Sequence, residues 1–429
     1  MSPPPRSASA TTAADAAAVA AAPAGRPAFP AVHEAAASHT GAVALLLNVA
    51  HAIDHLMLLV FATAVGAIAV DFGVSRWEDL MPFATGAFVM FGLGSLPAGR
   101  FGDHWGRRAM MLVFFFGIGV SAIAVALTQS AWQLALALTL VGAFASIYHP
   151  VGIPMLVQAT DRPGRVIGVN GLAGNLGIAV AALSTGFLVK YYGWRTAFVV
   201  PAVISIACGV LFWRIAPREH APPAKRKAKQ LDLPPGTLVR VFAILTVTST
   251  CGSLLFNFTT NGNGELLRER FAAITTDPAT LGALLSAIYA IAAFTQLWVG
   301  RMIDRVELRR LFLAIVALQI PVFALAAYAN GWALFFAAIL FQALIFGAIP
   351  FTDAIIVRYV DDRMRSRVAG VRFAVAFGIS AAAVWALGPI VKANGFDFLL
   401  GLSAAIAAIA AIGIAVLPPS APPRRATSG

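Results

Sequence analysis

Charged side chains are what this sequence has least of. They make up 12% of its 429 residues, while hydrophobic residues make up 59%; soluble domains carry about 25% charged residues. The shortfall excludes a water-soluble globular enzyme and a disordered chain. Cysteine is nearly absent: Cys208 and Cys251 stand alone in apolar runs. That excludes a disulfide framework and a cysteine-based zinc site. No Gly-x-x-x-x-Gly-Lys-Ser/Thr loop occurs, so ATP is not a direct energy source. Acidic residues are scarce too, 19 against 31 Lys and Arg, for a net charge of +12. Nucleic-acid binding would need that excess on a soluble basic face, and no soluble domain is there to carry one. No nucleic-acid partner, no cofactor and no resident metal are therefore expected.

What the chain has is apolar runs. A helix crosses the bilayer core with roughly 20 apolar residues. Such runs recur at 41–70, 80–100, 108–128, 131–157, 164–190 and 194–213, then at 238–260, 280–302, 310–329, 331–357, 367–391 and 396–417. The sequence predicts an all-α integral membrane protein of twelve transmembrane helices, embedded in the lipid bilayer as a monomer. Residues 1–38, rich in Ala, Pro and Ser, read as a disordered cytoplasmic tail. A six-helix bundle is expected over 39–213 and a second over 238–417. Between them lies a cytoplasmic loop, 214–237, with Lys225, Arg226, Lys227 and Lys229; a short tail, 418–429, follows. With both termini cytoplasmic, roughly 24 of the Lys and Arg fall on the cytoplasmic side, as the positive-inside bias of an inner (plasma) membrane protein requires.

The two bundles echo each other. Gly99 and Asp103 recur about 200 residues later as Gly300 and Asp304, and Gly168, Gly186 and Gly193 as Gly370, Gly388 and Gly395; a fixed offset marks two parallel repeats. The strongest local pattern is Gly99-Arg-Phe-Gly-Asp103-His-Trp-Gly106-Arg107-Arg108, between the second and third runs. Gly99 permits close backbone approach and Gly106 a tight turn, while Asp103 can pair with a cation or a helix N-terminus of the other half. This stretch resembles the signature of the loop between helices 2 and 3 in the major facilitator superfamily, and the six-plus-six arrangement resembles that superfamily over residues 41–417. The resemblance implies a gating role for Gly99, Asp103, Gly106, Arg107 and Arg108. It extends to Asp304 and Arg305 in the second copy, where Glu307 stands in place of the second Gly. A positive-inside loop with no gating role is the competing reading.

The fifth run carries Gly168, Gly171, Gly174 and Gly177 with Asn170 and Asn175 between them. It resembles the Gly-rich helix 5 of antiporters in the superfamily, with Asn175 where those have Pro; close helix packing is the simpler reading of the glycines. In the fourth run, Leu138 stands where drug–proton antiporters place an Arg. Three stretches instead resemble the fosmidomycin-resistance branch, which contains efflux proteins: His51-Ala-Ile-Asp54-His55, Ser146-Ile-Tyr148-His149-Pro150 and Gly174-Asn175-Leu-Gly177.

His51, Asp54 and His55 stand at i, i+3 and i+4 and share one helix face. Counting from the cytoplasmic end, Asp54 is expected about 18 Å deep, near the bilayer midplane, where an ionisable group is costly and faces protein or water. With imidazoles that titrate near neutrality beside it, the group suits proton coupling or substrate contact; a structural hydrogen-bond cluster is the alternative. His149 reads either as a member of this site or as a packing residue. Asp353 and Arg372 are expected at similar depth on neighbouring helices, as an ion pair at a gate or, for Arg372, as a contact to an anionic substrate. Gln342 is a cavity candidate by depth. Asn257 to Gly264 is expected to interrupt the seventh run, either as a kinked, polar mouth lining the outer gate or as an ordinary helix end. Together these features point to a transporter exchanging a small organic molecule for protons by alternating access. Uptake of an organic anion, a membrane sensor and an integral membrane enzyme are the rivals. The enzyme reading is the weakest of these, because it would need a ligand or nucleophile beyond His51, His55 and Asp54.

Overall fold

The apolar runs fold as helices. A computed structural model describes residues 31–158, 163–217, 235–303, 305–359 and 362–417. The helices are α1 (Ala31–Asp71), α2 (Thr85–Leu93), α3 (Ser95–Trp105), α4 (Arg107–Ala126), α5 (Ala131–Ala145), α6 (Ile153–Gln158), α7 (Pro163–Tyr192), α8 (Trp194–Ile215), α9 (Pro235–Arg270), α10 (Pro278–Ile303), α11 (Leu308–Tyr328), α12 (Gly331–Tyr359) and α13 (Asp362–Ala415). Among the described residues, ten helices are long and apolar enough to cross a membrane, or eleven if the bent pair Trp77–Leu93 and Ser95–Trp105 is one span. Exposed apolar side chains such as Trp132, Leu136 and Leu325 are what a lipid-facing surface requires.

Three expected helices differ, two of them in ways that proline and glycine explain. The run 80–100 is not one rod: two 3-10 turns precede α2, and α3 is bent from it by 43°. Pro97 cannot donate the hydrogen bond that would continue the helix across the bend. At the bend itself, a side chain on Gly94 would press on Ser146. The run 131–157 is interrupted by a π-helical turn, Tyr148–Gly152, between α5 and α6, with Pro150 inside it. The seventh helix is longer than expected. α9 continues unbroken through Asn257–Gly264 to Arg270, so no kinked mouth forms there. Its amides find partners instead: Asn257 Nδ2 donates to Ser380 Oγ (2.8 Å) and Asn261 Nδ2 to the Asn257 carbonyl (3.1 Å). In α13, Gly395 has φ 76° and breaks the helical path, a conformation open to Gly at little cost.

The helices form two halves, α1–α8 and α9–α13. In the first, α1 packs on α7 and α4 on α8; in the second, α9 and α11 pack on α13 and α10 on α12. The halves meet along α7–α10 and α2–α13. They are tightest at the end of the bundle that carries Gly193. A Cβ on Gly186 would lie 2.5 Å from the Pro278 carbonyl oxygen, and one on Gly388 would overlap the Glu78 carbonyl, so glycine is what lets the backbones approach. Two ion pairs clasp the same end, Lys190–Asp277 at 2.7 Å and Lys392–Asp79 at 2.5 Å.

Candidate functional site

The helical register of α1 places His51, Asp54 and His55 together against α7 and the π turn. His51 Nδ1 lies 2.7 Å from the main-chain carbonyl oxygen of Asn170. A carbonyl only accepts, so Nδ1 carries the proton, and in the neutral ring Nε2 is left as an acceptor. His55 Nε2, 3.1 Å away, donates to it. The His51 ring stacks on Tyr148, centroids 4.7 Å apart. Asn170 Nδ2 donates to Tyr148 Oη (2.6 Å) and to Asn48 Oδ1 (2.9 Å). Gly174 makes room for this arrangement: a Cβ there would lie 2.6 Å from the His51 ring.

The π turn brings in His149. Consecutive side chains of an α-helix diverge by about 100°, yet Tyr148 and His149 both pack on His51, the latter edge-on at 5.1 Å. His149 Nε2 lies 3.5 Å from Asp54 Oδ2. That is longer than an ordinary hydrogen bond, and Asp54, fully buried, has no closer partner for either oxygen among the described residues. One ring nitrogen from each of His51, His55 and His149 lies within 4.8 Å of the other two. The sequence offered Asp54 beside His51 and His55 and left His149 as either a site member or a packing residue; the turn that contains Pro150 brings it to the cluster.

The cluster borders a cavity of about 280 Å³ between the halves. His55, His149, Phe88 and Phe91 line it from the first half; Phe256, Asn257, Thr260, Phe312 and Gln319 line it from the second. Most of its wall is apolar, but Ser249 Oγ and Gln319 Oε1 in that wall have no hydrogen-bond partner among the described residues. A second cavity, about 510 Å³, lies toward the Gly193 end and holds two same-half ion pairs, Arg76–Glu78 (2.6 Å) and Arg268–Glu265 (2.5 Å). Beside the Glu78 carboxylate the exposed Arg76 guanidinium is held above its ordinary pKa. Hydrogen bonds from Lys190 and Thr280 hold the Asp277 carboxyl down at about 2.

The remaining expected residues scatter. Asn175 Nδ2 donates to Gln296 Oε1 across the two halves (2.6 Å). Gln342 is buried inside the second half, accepting from Asn263 Nδ2 at 3.3 Å. It is absent from the lining of the central cavity, because its side of α12 packs on α9. Gly99 abuts Pro150, and Gly106, with φ 92°, breaks the chain between α3 and α4. Asp103 is exposed and makes no ion pair or hydrogen bond among the described residues. Arg107 is half-buried. Arg108 donates to the carbonyls of Ala216 (2.8 Å) and Trp213 (2.5 Å); it caps the C-terminus of α8, a use of a cation that needs no gate. Arg305 is exposed. Asp304 lies outside the described residues, as do the side chains of Asp353 and Arg372, and with them the expected ion pair. Sequence reasoning missed Tyr148, Asn48, Gln296, Ser249 and Gln319. Asn48, three residues before His51, was visible as a member of the same helix face; the others look like isolated polar residues until the helices pack.

The family model of the Major Facilitator Superfamily matches residues 47–267 and 266–429. The puromycin resistance protein pur8 of Streptomyces alboniger is 31% identical over 35% of this chain and 30% of its own length. A multidrug resistance protein, MdtG, of Yersinia enterocolitica is 22% identical over 58% of this chain and 62% of its own. The chain thus spans between 30% and 62% of these curated relatives, neither of which is named as an enzyme. A crystal structure of a bacterial homolog of the human lysosomal transporter Spinster, inward-facing and unoccupied, superposes with a TM-score of 0.67 at 16% identity. It covers 88% of this chain and 92% of that one; at such identity the likeness is one of fold.

Proposed function

The chain belongs to the Major Facilitator Superfamily, and from that premise we propose that it is a secondary active transporter of a bacterial-type inner membrane. In this reading it exports a small organic molecule in exchange for protons by alternating access. The observation that carries the proposal is the cavity between the halves, walled by His55 and His149 and backed by the buried Asp54. An ionisable cluster bordering a cavity between two halves is where alternating access can expose one group to either side in turn. Resistance proteins among the relatives favour export as the direction, and the three stretches shared with the fosmidomycin-resistance branch favour it too.

The contacts between the halves support two repeats of six helices. An offset of about 200 residues carries α2 onto α10 and α7 onto the first part of α13, so it exchanges the two contacts that join the halves, α7–α10 and α2–α13. The break at Gly395 divides α13 where the eleventh and twelfth helices are expected. On this reading the bundles are 39–213 and 238–417, and both termini face the cytoplasm. The clasped Gly193 end is then the outer side. The Gly99–Arg108 loop and its second copy at Asp304 and Arg305, with Asp353, work on the inner side, in the conformation that closes it. An exposed Asp103 fits the state in which that inner gate is open.

The test is accumulation. Cells with the protein should hold less of a transported compound than cells without it, and a protonophore should erase the difference. Greater accumulation with the protein would reverse the direction; indifference to the protonophore would remove protons as the coupling ion.

A further inference from the structure

The three imidazoles that border the central cavity are arranged as a metal-binding set. We propose that His51, His55 and His149 form a site for one divalent transition-metal ion of the Zn²⁺ class, entered from the cavity. Such a site would exist whether or not protons drive transport.

A tetrahedral ion bound by three imidazole nitrogens at 2.0–2.1 Å holds those nitrogens roughly 3.3 Å apart and the ring centroids about 5 Å apart. Here His51 Nε2 and His55 Nε2 are 3.1 Å apart. The ring centroids stand at 4.9, 5.1 and 5.7 Å for His51–His55, His51–His149 and His55–His149. The His51–His55 pair already has the spacing an ion imposes, while the three donor nitrogens as a set lie within 4.8 Å of one another, so the widest separation closes by about 1.5 Å on binding.

The surroundings agree. A metal-bound imidazole usually donates its other N–H to a carbonyl or carboxylate, which fixes the ring and aims the lone pair. His51 does this through Nδ1 to the Asn170 carbonyl, leaving Nε2 aimed at His55. To bind beside it, His55 carries its proton on Nδ1 instead of Nε2, a tautomer change with no net proton lost. The Asp54 carboxyl stands 3.5 Å from His149 Nε2, with no hydrogen-bond partner for either oxygen among the described residues. Three nitrogen donors leave the fourth position toward the cavity, because His55 and His149 line it; an open fourth position accepts water or an exogenous donor. Nitrogen donors of this kind select Zn²⁺, Cu²⁺, Ni²⁺ or Co²⁺ over Mg²⁺ and Ca²⁺.

The experiment uses full-length protein purified in detergent with any affinity tag removed. Zn²⁺ binding is followed by calorimetry, and Co²⁺ binding by its visible absorption. The result expected is one Zn²⁺ per chain, a tetrahedral Co²⁺ spectrum that shifts when azide is added, and binding weakened about 100-fold or more in His51→Gln and His149→Gln. The control is His104→Gln, an exposed histidine on another helix, which should bind as the parent does. His55→Gln, at a half-buried position, serves if His51→Gln fails to fold. Absence of saturable one-to-one binding would overturn the proposal. So would unchanged affinity in His149→Gln, which would place the ion elsewhere. Because the readout needs no transport, a failed metal site and a failed transport reading are told apart.

Discussion

His51 Nδ1 donates to the main-chain carbonyl of Asn170, 119 residues further along the chain and 2.7 Å away. The bond joins α1 to α7 and decides which nitrogen of His51 faces His55. It depends on a glycine: the His51 ring occupies the space that a side chain at Gly174 would fill.

Gly174→Val should therefore push the ring out of place and destabilise the fold by about 1–3 kcal/mol, the usual cost of overpacking. Gly168→Val, six residues earlier where nothing lies within 4 Å of a built Cβ, should change little. Melting temperatures in detergent compare the two. Equal shifts would mean that the glycine spacing serves helix packing in general and not the histidine.

The Lys190–Asp277 pair clasps the Gly193 end. With its carboxyl held at about 2, Asp277 contributes fully above the ordinary carboxylate range and loses its contribution only as pH falls toward that value. Between pH 5 and 8 the clasp should keep its charge. A cysteine introduced at Leu285, which lines the cavity at that end, reports on it in a background without Cys208 and Cys251. Divided by the rate of a free small-molecule thiol at the same pH, which removes the rise in thiolate with pH, its labelling should be flat over that range and rise several-fold in Asp277→Asn. A steep change between pH 5 and 8 with no effect of the substitution would assign outer closure to other groups.

Much of this was legible in the sequence. Apolar runs of spanning length, the break at Gly106 and the shared face of His51, Asp54 and His55 all follow from spacing along one chain. What was not legible depends on packing between helices. His149 joins the cluster only because a π turn re-aims it. Gln342 stands at a depth that suits a cavity but faces α9, because depth says nothing of azimuth when a helix is apolar all round. Asn257–Gly264 reads as a helix end until Ser380 and Gln342 are present to accept its amides. Arg108 reads as a topology signal and serves also as a cap on α8.

Asp103→Asn tests the inner gate. The side chain is exposed and touches neither the cavity nor the histidines, so the substitution should lower transport rate several-fold and leave ligand affinity within about twofold, as expected of a residue that stabilises one conformation. A collapse of affinity with normal conformational exchange would contradict that role.

The central claim is that the buried cluster at Asp54 links a proton gradient to movement of the substrate. Everted membrane vesicles measure it directly: impose a pH gradient, follow accumulation of a transported compound, and compare the parent with Asp54→Asn, checking by melting temperature that both are folded. Asn keeps the shape of the carboxyl and its capacity for hydrogen bonds but cannot carry a coupling proton. The account predicts that gradient-driven accumulation disappears in Asp54→Asn while exchange of labelled for unlabelled substrate persists. Undiminished gradient-driven accumulation by the Asp54→Asn protein would contradict it.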